Sequence, residues 1–152
     1  MPEVNKNLCL SGGSKGADQL FGELATAAGH EVIHWSFQNH HSPCPLETLH
    51  HLPYRDLMLA DPKLKQVNLL LKRQFPTRSE YVNNLLRRNW FQVKDAERVY
   101  ASTGLDENML PIGGTAWAIL MAFFDNEPHG GIEIYNYDHT RSKWFVVNFD
   151  TV

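Results

Sequence analysis

The sequence predicts an α/β fold, built as a three-layer sandwich around a mainly parallel sheet of about five strands. Strand-like and helical patterns alternate along the chain, which is the arrangement that produces parallel sheets covered by helices. Two apolar runs are each followed by a pair of glycines and an apolar helical pattern. With 152 residues, the chain has the length of one domain. We therefore expect a single domain over residues 1–152.

The N-terminal part contains the clearest unit of this fold. "NLCLS" (7–11) is typical of a short buried strand, and "EVIHWSF" (31–37) of a second one. Between them, apolar residues recur at helical spacing, at Ala17, Leu20, Phe21, Leu24, Ala25 and Ala28. Gly29 stands where a left-handed residue usually ends a helix. A strand, a helix and a strand in this order predict a crossover between parallel strands.

The remaining elements continue the alternation, with one interruption. Residues 38–76 are rich in His and Pro, and we interpret them as a long insertion with a short helix around 46–52 and a helical stretch over 64–73. Thr77 and Glu80 form a T-x-x-E capping box, which predicts the start of a helix. A further, wholly apolar helix is predicted over 115–124. The later strands are predicted at 96–102, 131–137 and 143–149.

The composition argues against several classes of partner. The formal net charge is −3 and the pI is about 6.2, so the chain has no general attraction for a polyanion. No stretch has the length and apolarity of a membrane span or a signal peptide. Cys9 and Cys44 lie in a strand pattern and a polar loop, which does not indicate a disulfide framework. We expect a cytoplasmic protein that does not bind membranes.

The first glycine turn has the features of an anion-binding site. Small residues let backbone amides approach an anion, and the following helix directs its positive end to the same point. The alternative is a tight turn that needs glycine only for its backbone conformation. The candidate ligand-binding residues in this turn are Ser11, Gly12, Gly13, Ser14, Lys15 and Gly16.

Two common ligands of such turns are not favoured. The turn lacks the G-K-[ST] ending of an ATP-binding P-loop. A dinucleotide site would need Asp or Glu near the end of the second strand, where this chain has Ser36 and Phe37. We keep both residues as candidates for contact with another ligand.

A second glycine turn repeats the arrangement of the first. Gly113, Gly114 and Thr115 follow an apolar run and precede a helix. In an open parallel sheet, the ends of the first strand and of the strand over 96–102 flank one crevice at the topological switch point. Both turns are therefore expected to open onto one cleft that suits a ligand with phosphate and ribose.

The helix before the strand over 96–102 supplies polar side chains. Asn84, Arg88 and Gln92 are spaced i, i+4 and i+8, and Arg87 and Asn89 lie beside them. Arginine presents a planar fork to phosphate, and amides can hydrogen-bond a base or a ribose. We predict that all five bind the ligand; the alternative is an ordinary solvated helix face.

These motifs together resemble the SLOG superfamily, a Rossmann-like group that contains the Lonely Guy phosphoribohydrolases, the DNA-processing protein DprA and many nucleotide-sensing domains. The resemblance rests on "SGGSKGAD" before a helix, an arginine-bearing helix and "IGGTAWA", and it covers 8–37 and 77–136. It implies a Rossmann-like fold and a nucleotide-binding cleft. It also implies three sets of ligand-binding residues: 11–16, Arg88 with Asn89, and Gly113 with Gly114 and Thr115.

One departure from the family bears on activity. Its phosphoribohydrolases carry P-G-G-x-G-T-x-x-E, whose glutamate assists departure of the base, whereas here the loop is one residue shorter and Ala118 stands at the glutamate position. Chemistry through an oxocarbenium ion needs a placed carboxylate. Asp18 is the nearest substitute, although an acid in the first turn of a helix also has a plain electrostatic role. We therefore expect a sensor or sequestering protein for a nucleotide or nucleotide-derived metabolite rather than an enzyme.

Two alternatives remain open. One is a nucleotide phosphoribohydrolase or related N-glycosidase in which Asp18 or a residue of a partner replaces the glutamate. The other is a single-stranded nucleic-acid binder, which the acidity disfavours. We expect no cofactor. We also expect no metal, because the spacing of the clustered residues His40, His41, Cys44, His50 and His51 matches no common zinc motif. The apolar helix over 115–124 needs both faces covered, which favours a homodimer or a larger homo-oligomer.

Overall fold

The structure is a computed structural model, and it describes residues 7–108, 110–126 and 131–147. Its strands are β1 (Leu8–Ser11), β2 (Glu31–Ser36), β3 (Leu49–His51), β4 (Arg98–Ser102), β5 (Glu133–Asp138) and β6 (Lys143–Val146). Its helices are α1 (Ala17–Ala27), α2 (Tyr54–Leu57), α3 (Asp61–Leu71), α4 (Glu80–Val93) and α5 (Thr115–Asn126). Residues 1–6 and the end of the predicted strand over 143–149 lie outside the described residues. None of the described helices combines the length and apolarity needed to cross a bilayer.

The α/β class is confirmed, but the prediction of one five-stranded sheet is wrong. The described strands form two three-stranded sheets, in the orders β1-β2-β3 and β4-β5-β6. The first is parallel throughout, whereas in the second β6 runs antiparallel to β5. β1 and β4, which a single sheet would pair, both line one cavity instead. Pairing between segments so distant in sequence is decided by tertiary packing, which a strand pattern does not report.

Helices cover both faces of the first sheet. A Cβ added at Gly22 of α1 would lie 2.5 Å from His34 Nε2 and 3.5 Å from a methyl group of Val32, so these two side chains of β2 face α1. Trp35 packs on Phe91 of α4, with ring centroids 5.9 Å apart. Because successive strand residues point to opposite faces, α1 and α4 lie on opposite sides of this sheet.

The segment over 38–76 contributes the strand β3 and the helices α2 and α3 to the fold. The helix predicted around 46–52 is wrong, because these residues form a 3-10 turn at Leu46–Thr48 and then β3. Helix α3 overlaps the helical stretch predicted over 64–73, and its Leu64 and Val67 are buried in the core that it forms with α5. The apolar helix α5 is thus covered within the chain, which removes the reason for placing a second subunit on it. The oligomeric state stays a prediction.

Helix α4 lies where the sequence places it, but its cap differs from the predicted capping box. Ser79 precedes the helix, and its Oγ accepts a hydrogen bond from the Val82 N–H at 3.2 Å. Thr77 lies two residues earlier, where its N–H and its hydroxyl both donate to Asn83 Oδ1 at 2.8 Å. Both are residues that cap helices well, and the turn before the helix decides which of them reaches the free N–H groups.

Candidate functional site

A cavity of about 940 Å³ lies between β1, β4 and the helices α1, α4 and α5. The size is within the range of pockets that bind small organic ligands. The sequence-predicted residues that line it come from both glycine turns and from α4: Ser11, Ser14, Lys15, Arg88, Asn89, Gln92, Gly114 and Thr115. The fold therefore brings three segments that are distant in sequence to one cavity.

Arg88 is the buried charge of this cavity, with only 6% of its surface exposed. Its Nη2 donates to Ser14 Oγ at 2.7 Å, and its Nη1 lies 3.6 Å from Asp18 Oδ2, which is too long for a hydrogen bond. Among the described residues, Nε and Nη1 have no hydrogen-bond partner. Burial lowers the pKa of Arg88, and the charge of Asp18 acts in the opposite direction. Buried N–H groups without a partner cost free energy, so this guanidinium is suited to receive an anion.

The position of Arg88 depends on Gly12. A Cβ added at Gly12 would lie 1.5 Å from Arg88 Nη1 and 2.6 Å from Gln92 Nε2. The guanidinium therefore rests against the glycine backbone, in space that any side chain would fill. Gly13 has a different role: its φ is +69°, and a Cβ there would meet His34 Cβ and Ser42 Oγ at 3.1 Å.

Asp18 holds the first turn together. Its Oδ2 accepts a hydrogen bond from the Ser14 N–H at 3.1 Å, and its backbone carbonyl accepts one from Ser11 Oγ at 3.4 Å. Gly16, with a φ of 102°, precedes the helix. These contacts give the carboxylate a structural role next to Arg88. Asp18 lines the cavity, and so does Ala118 on α5.

The second turn is held by an arginine that the sequence did not single out. Arg73 donates from Nη1 to the Gly113 carbonyl at 2.8 Å and from Nη2 to the Pro111 carbonyl at 3.2 Å. Asn89 Nδ2 lies 3.4 Å from the Gly114 carbonyl. Arg73 follows the end of α3 with no motif around it, so no local signal distinguishes it from a solvated arginine.

Several predicted residues do not line this cavity. Arg87 is buried in ion pairs with Asp61 and Glu80. Phe37 and Asn84 line a separate, smaller cavity of about 430 Å³, and Ser36 is fully buried. Four glycines belong to the two turns without lining the cavity: Gly12, Gly13, Gly16 and Gly113. Ligand contact by these residues stays a prediction.

Two of the four histidines in the 38–51 segment, His40 and His50, pack against aromatic rings. His40 stacks on Phe37, with ring centroids 4.8 Å apart, and its Nδ1 lies 2.7 Å from Ser36 Oγ. His50 packs edge-on against Trp35. Within the described ranges, no group of three or more His, Cys, Asp or Glu side chains is arranged to hold a metal.

Acidification is expected to destabilise the protein below pH 6.5 through His40 and His34. Burial and the charge of Arg88 lower the pKa of His40 from 6.5 to about 4, and burial lowers the pKa of His34 as well. Between these values the unfolded chain binds protons that the folded state does not, so the free energy of unfolding falls as the pH falls from 6.5 towards 4. Urea denaturation of wild type and His40→Asn at pH 7, 6, 5 and 4.5 measures this.

Asparagine keeps a hydrogen-bonding side chain for Ser36 but cannot titrate. The slope of the free energy of unfolding against pH is expected to become shallower in His40→Asn, with the remaining slope due to His34. An unchanged slope in the variant would show that His40 does not carry the dependence.

Comparisons with protein-family models, with curated proteins and with solved structures find no match for this chain. The SLOG resemblance therefore rests on the motifs quoted above.

Proposed function

We propose that this protein binds a nucleotide or nucleotide-derived metabolite in the cavity between its two glycine turns, as a sensor or sequestering protein. The observation that carries the proposal is Arg88, a guanidinium 94% buried whose Nε and Nη1 lack partners among the described residues. A phosphate would accept from these groups and offset the cost of burying the charge. Ser14 and Lys15, which line the same cavity, would add a hydroxyl and a second positive charge.

The place of the cavity in the fold supports the same conclusion. The strand orders β3-β2-β1 and β4-β5-β6, taken across the cavity, follow the sequence of a doubly wound nucleotide-binding sheet. In such sheets the ligand lies beyond the carboxyl ends of the two strands at the switch point. Here β1 and β4 do not pair, and the cavity between them runs along both strands and includes Ser14 and Lys15 after the end of β1. Helices α1 and α5 both begin near this place, and helix N-termini favour anions.

The side chains around the cavity support binding more than turnover. Ala118 supplies no acid or base at the position where the phosphoribohydrolases of the SLOG superfamily carry glutamate. Asp18 accepts a hydrogen bond from the Ser14 N–H and lies 3.6 Å from Arg88 Nη1. These contacts tie the carboxylate to the first turn and to Arg88, which gives it a positioning role rather than a catalytic one.

Calorimetric titration with AMP, GMP, CMP, UMP and ribose 5-phosphate tests the proposal. Arg88→Ala is expected to weaken binding about ten- to a hundredfold, the effect of losing a hydrogen bond to a charged group. Arg88→Lys should recover only part of this loss, because an ammonium cannot make the bidentate contact. Arg55→Ala is the matched control, since its side chain is 88% exposed and it does not line the cavity.

A second measurement separates a ligand-binding arginine from a structural one. Arg88→Met removes a buried charge with unpartnered N–H groups, but it also removes the cation beside Asp18, so the ligand-free protein is expected to show only a small change in Tm while binding is lost. A marked fall in Tm with unchanged affinity would contradict the proposal. Release of free base from a nucleoside monophosphate by wild type, absent in Asp18→Asn, would instead favour the phosphoribohydrolase.

A further inference from the structure

The second sheet carries a cluster of aromatic side chains on one face. Tyr100 of β4 lies directly opposite Tyr135 of β5, and Tyr137 lies opposite Trp144 of β6. Tyr135 and Tyr137 are two residues apart on one strand, so all four side chains share a face. The other face of β5 is buried, with Ile134, Asn136 and Asp138 inaccessible.

Tyr100 is held in place by its neighbours within this aromatic face. Its ring stacks on Tyr135, with centroids 5.4 Å apart and planes 17° apart. The Trp144 ring meets it nearly at a right angle, with centroids 6.3 Å apart. β4 pairs with β5 alone among the described strands, so no strand stands beside the ring face turned away from Tyr135. Tyr100 is 53% exposed. Its neighbours therefore hold the ring in one orientation, while about half of its surface stays accessible to a ligand.

Tyr100 also belongs to the cavity that contains Arg88. Both residues line it, as does every residue of β4. The cavity thus contains a phosphate-type contact and a flat ring surface.

We propose that Tyr100 is the stacking surface for the nucleobase of the ligand, so that the site selects phosphates bearing a planar heterocycle over simple sugar phosphates. This inference rests on the proposed function, because it places the ligand's phosphate at Arg88. Stacking uses the face of any base and reads no hydrogen-bonding edge. The site therefore accepts several bases and favours purines, which offer more surface than pyrimidines.

Calorimetric titration with AMP, adenosine and ribose 5-phosphate tests this role. Tyr100→Ala is expected to weaken AMP binding about five- to a hundredfold, the usual loss when a stacked aromatic side chain is removed, and to leave ribose 5-phosphate affinity unchanged. Tyr100→Phe retains the ring and should retain AMP affinity. Tyr137→Ala is the matched control, since Tyr137 shares the aromatic face but does not line the cavity. Circular dichroism verifies that each variant folds.

The three probes distinguish failure of this inference from failure of the proposed function. Ribose 5-phosphate binding that needs Arg88, with AMP affinity unchanged in Tyr100→Ala, would overturn the stacking role alone. Adenosine binding that needs Tyr100, with AMP affinity independent of Arg88, would overturn the phosphate assignment alone. A wild-type protein that binds none of the three would overturn both. Equal loss of AMP and ribose 5-phosphate in Tyr100→Ala would show that the substitution disturbs the cavity as a whole, and would also overturn the stacking role.

Discussion

Gly12→Ala is expected to remove phosphate binding while leaving the domain folded. The new Cβ would lie 1.5 Å from Arg88 Nη1, so the guanidinium must leave its place. The loss of nucleotide affinity should equal or exceed that of Arg88→Ala, about ten- to a hundredfold. Backbone strain is not expected, because φ at Gly12 lies outside the left-handed region, unlike φ at Gly13. Calorimetric titration with the nucleoside monophosphates, alongside thermal denaturation, measures both properties.

Gly104→Ala provides the matched control for this substitution. Its new Cβ would lie 3.4 Å from the Ile112 side chain, an ordinary van der Waals contact, and its φ also lies outside the left-handed region. We expect wild-type affinity in this variant. If folded Gly12→Ala bound nucleotides as tightly as wild type, the site of Arg88 beside Gly12 would not be the phosphate site.

Arg87→Ala is expected to cost about 1.5–3 kcal/mol of stability, because it removes a buried cation and its hydrogen bonds to the partly buried Asp61 carboxylate. Arg87 donates to Asp61 from Nε at 2.8 Å and from Nη2 at 3.2 Å, and it also contacts Glu80. Its guanidinium lies 5.6 Å from the centre of the Tyr54 ring and 5.8 Å from that of Phe75. It therefore joins the start of α3 to α4. Urea denaturation gives the change in the free energy of unfolding.

The control for this prediction is an ion pair of similar length at the surface. Arg98 and Glu133 lie 3.0 Å apart, but their side chains are 62% and 59% exposed. Arg98→Ala should leave the free energy of unfolding close to the wild-type value, because an exposed ion pair contributes little. An Arg87→Ala variant of wild-type stability that has lost nucleotide binding would place Arg87 in the ligand site, as its sequence neighbourhood suggested.

Arg87 and Arg88 illustrate the limit of a helical pattern. The spacing of polar residues on α4 predicts a stripe along one side of the helix that contains Arg88, with Arg87 directly beside it. Adjacent residues point about 100° apart around a helix, so only the neighbours of α4 decide which of them faces the cavity. Asp61 pairs with Arg87 from α3, whereas Arg88 lies against Gly12 of the first turn. The first contact involves a segment that the sequence marked only as a His- and Pro-rich insertion.

The same insertion explains the apolar helix α5. A helix without a polar face must be covered all round, and its sequence alone does not say by what. Lys63 of α3 pairs with Asp125 at 3.1 Å, and Leu64 and Val67 of α3 belong to the same buried core as Ile119. The covering surface thus comes from within the chain, from residues whose own periodicity is weak.

The sequence by itself determined the local elements of this protein. Its apolar periodicity placed α1, α4 and α5, its apolar runs placed five of the six described strands, and its glycine pairs marked the two turns. These features depend on residues only a few positions apart, so a short stretch of sequence is enough to predict them. Tertiary structure decided the division of the strands into two sheets, the pairing of the three-residue strand β3, and the choice between Arg87 and Arg88. Each of these depends on contacts between segments tens of residues apart. The free energy of such contacts cannot be inferred from a local sequence pattern.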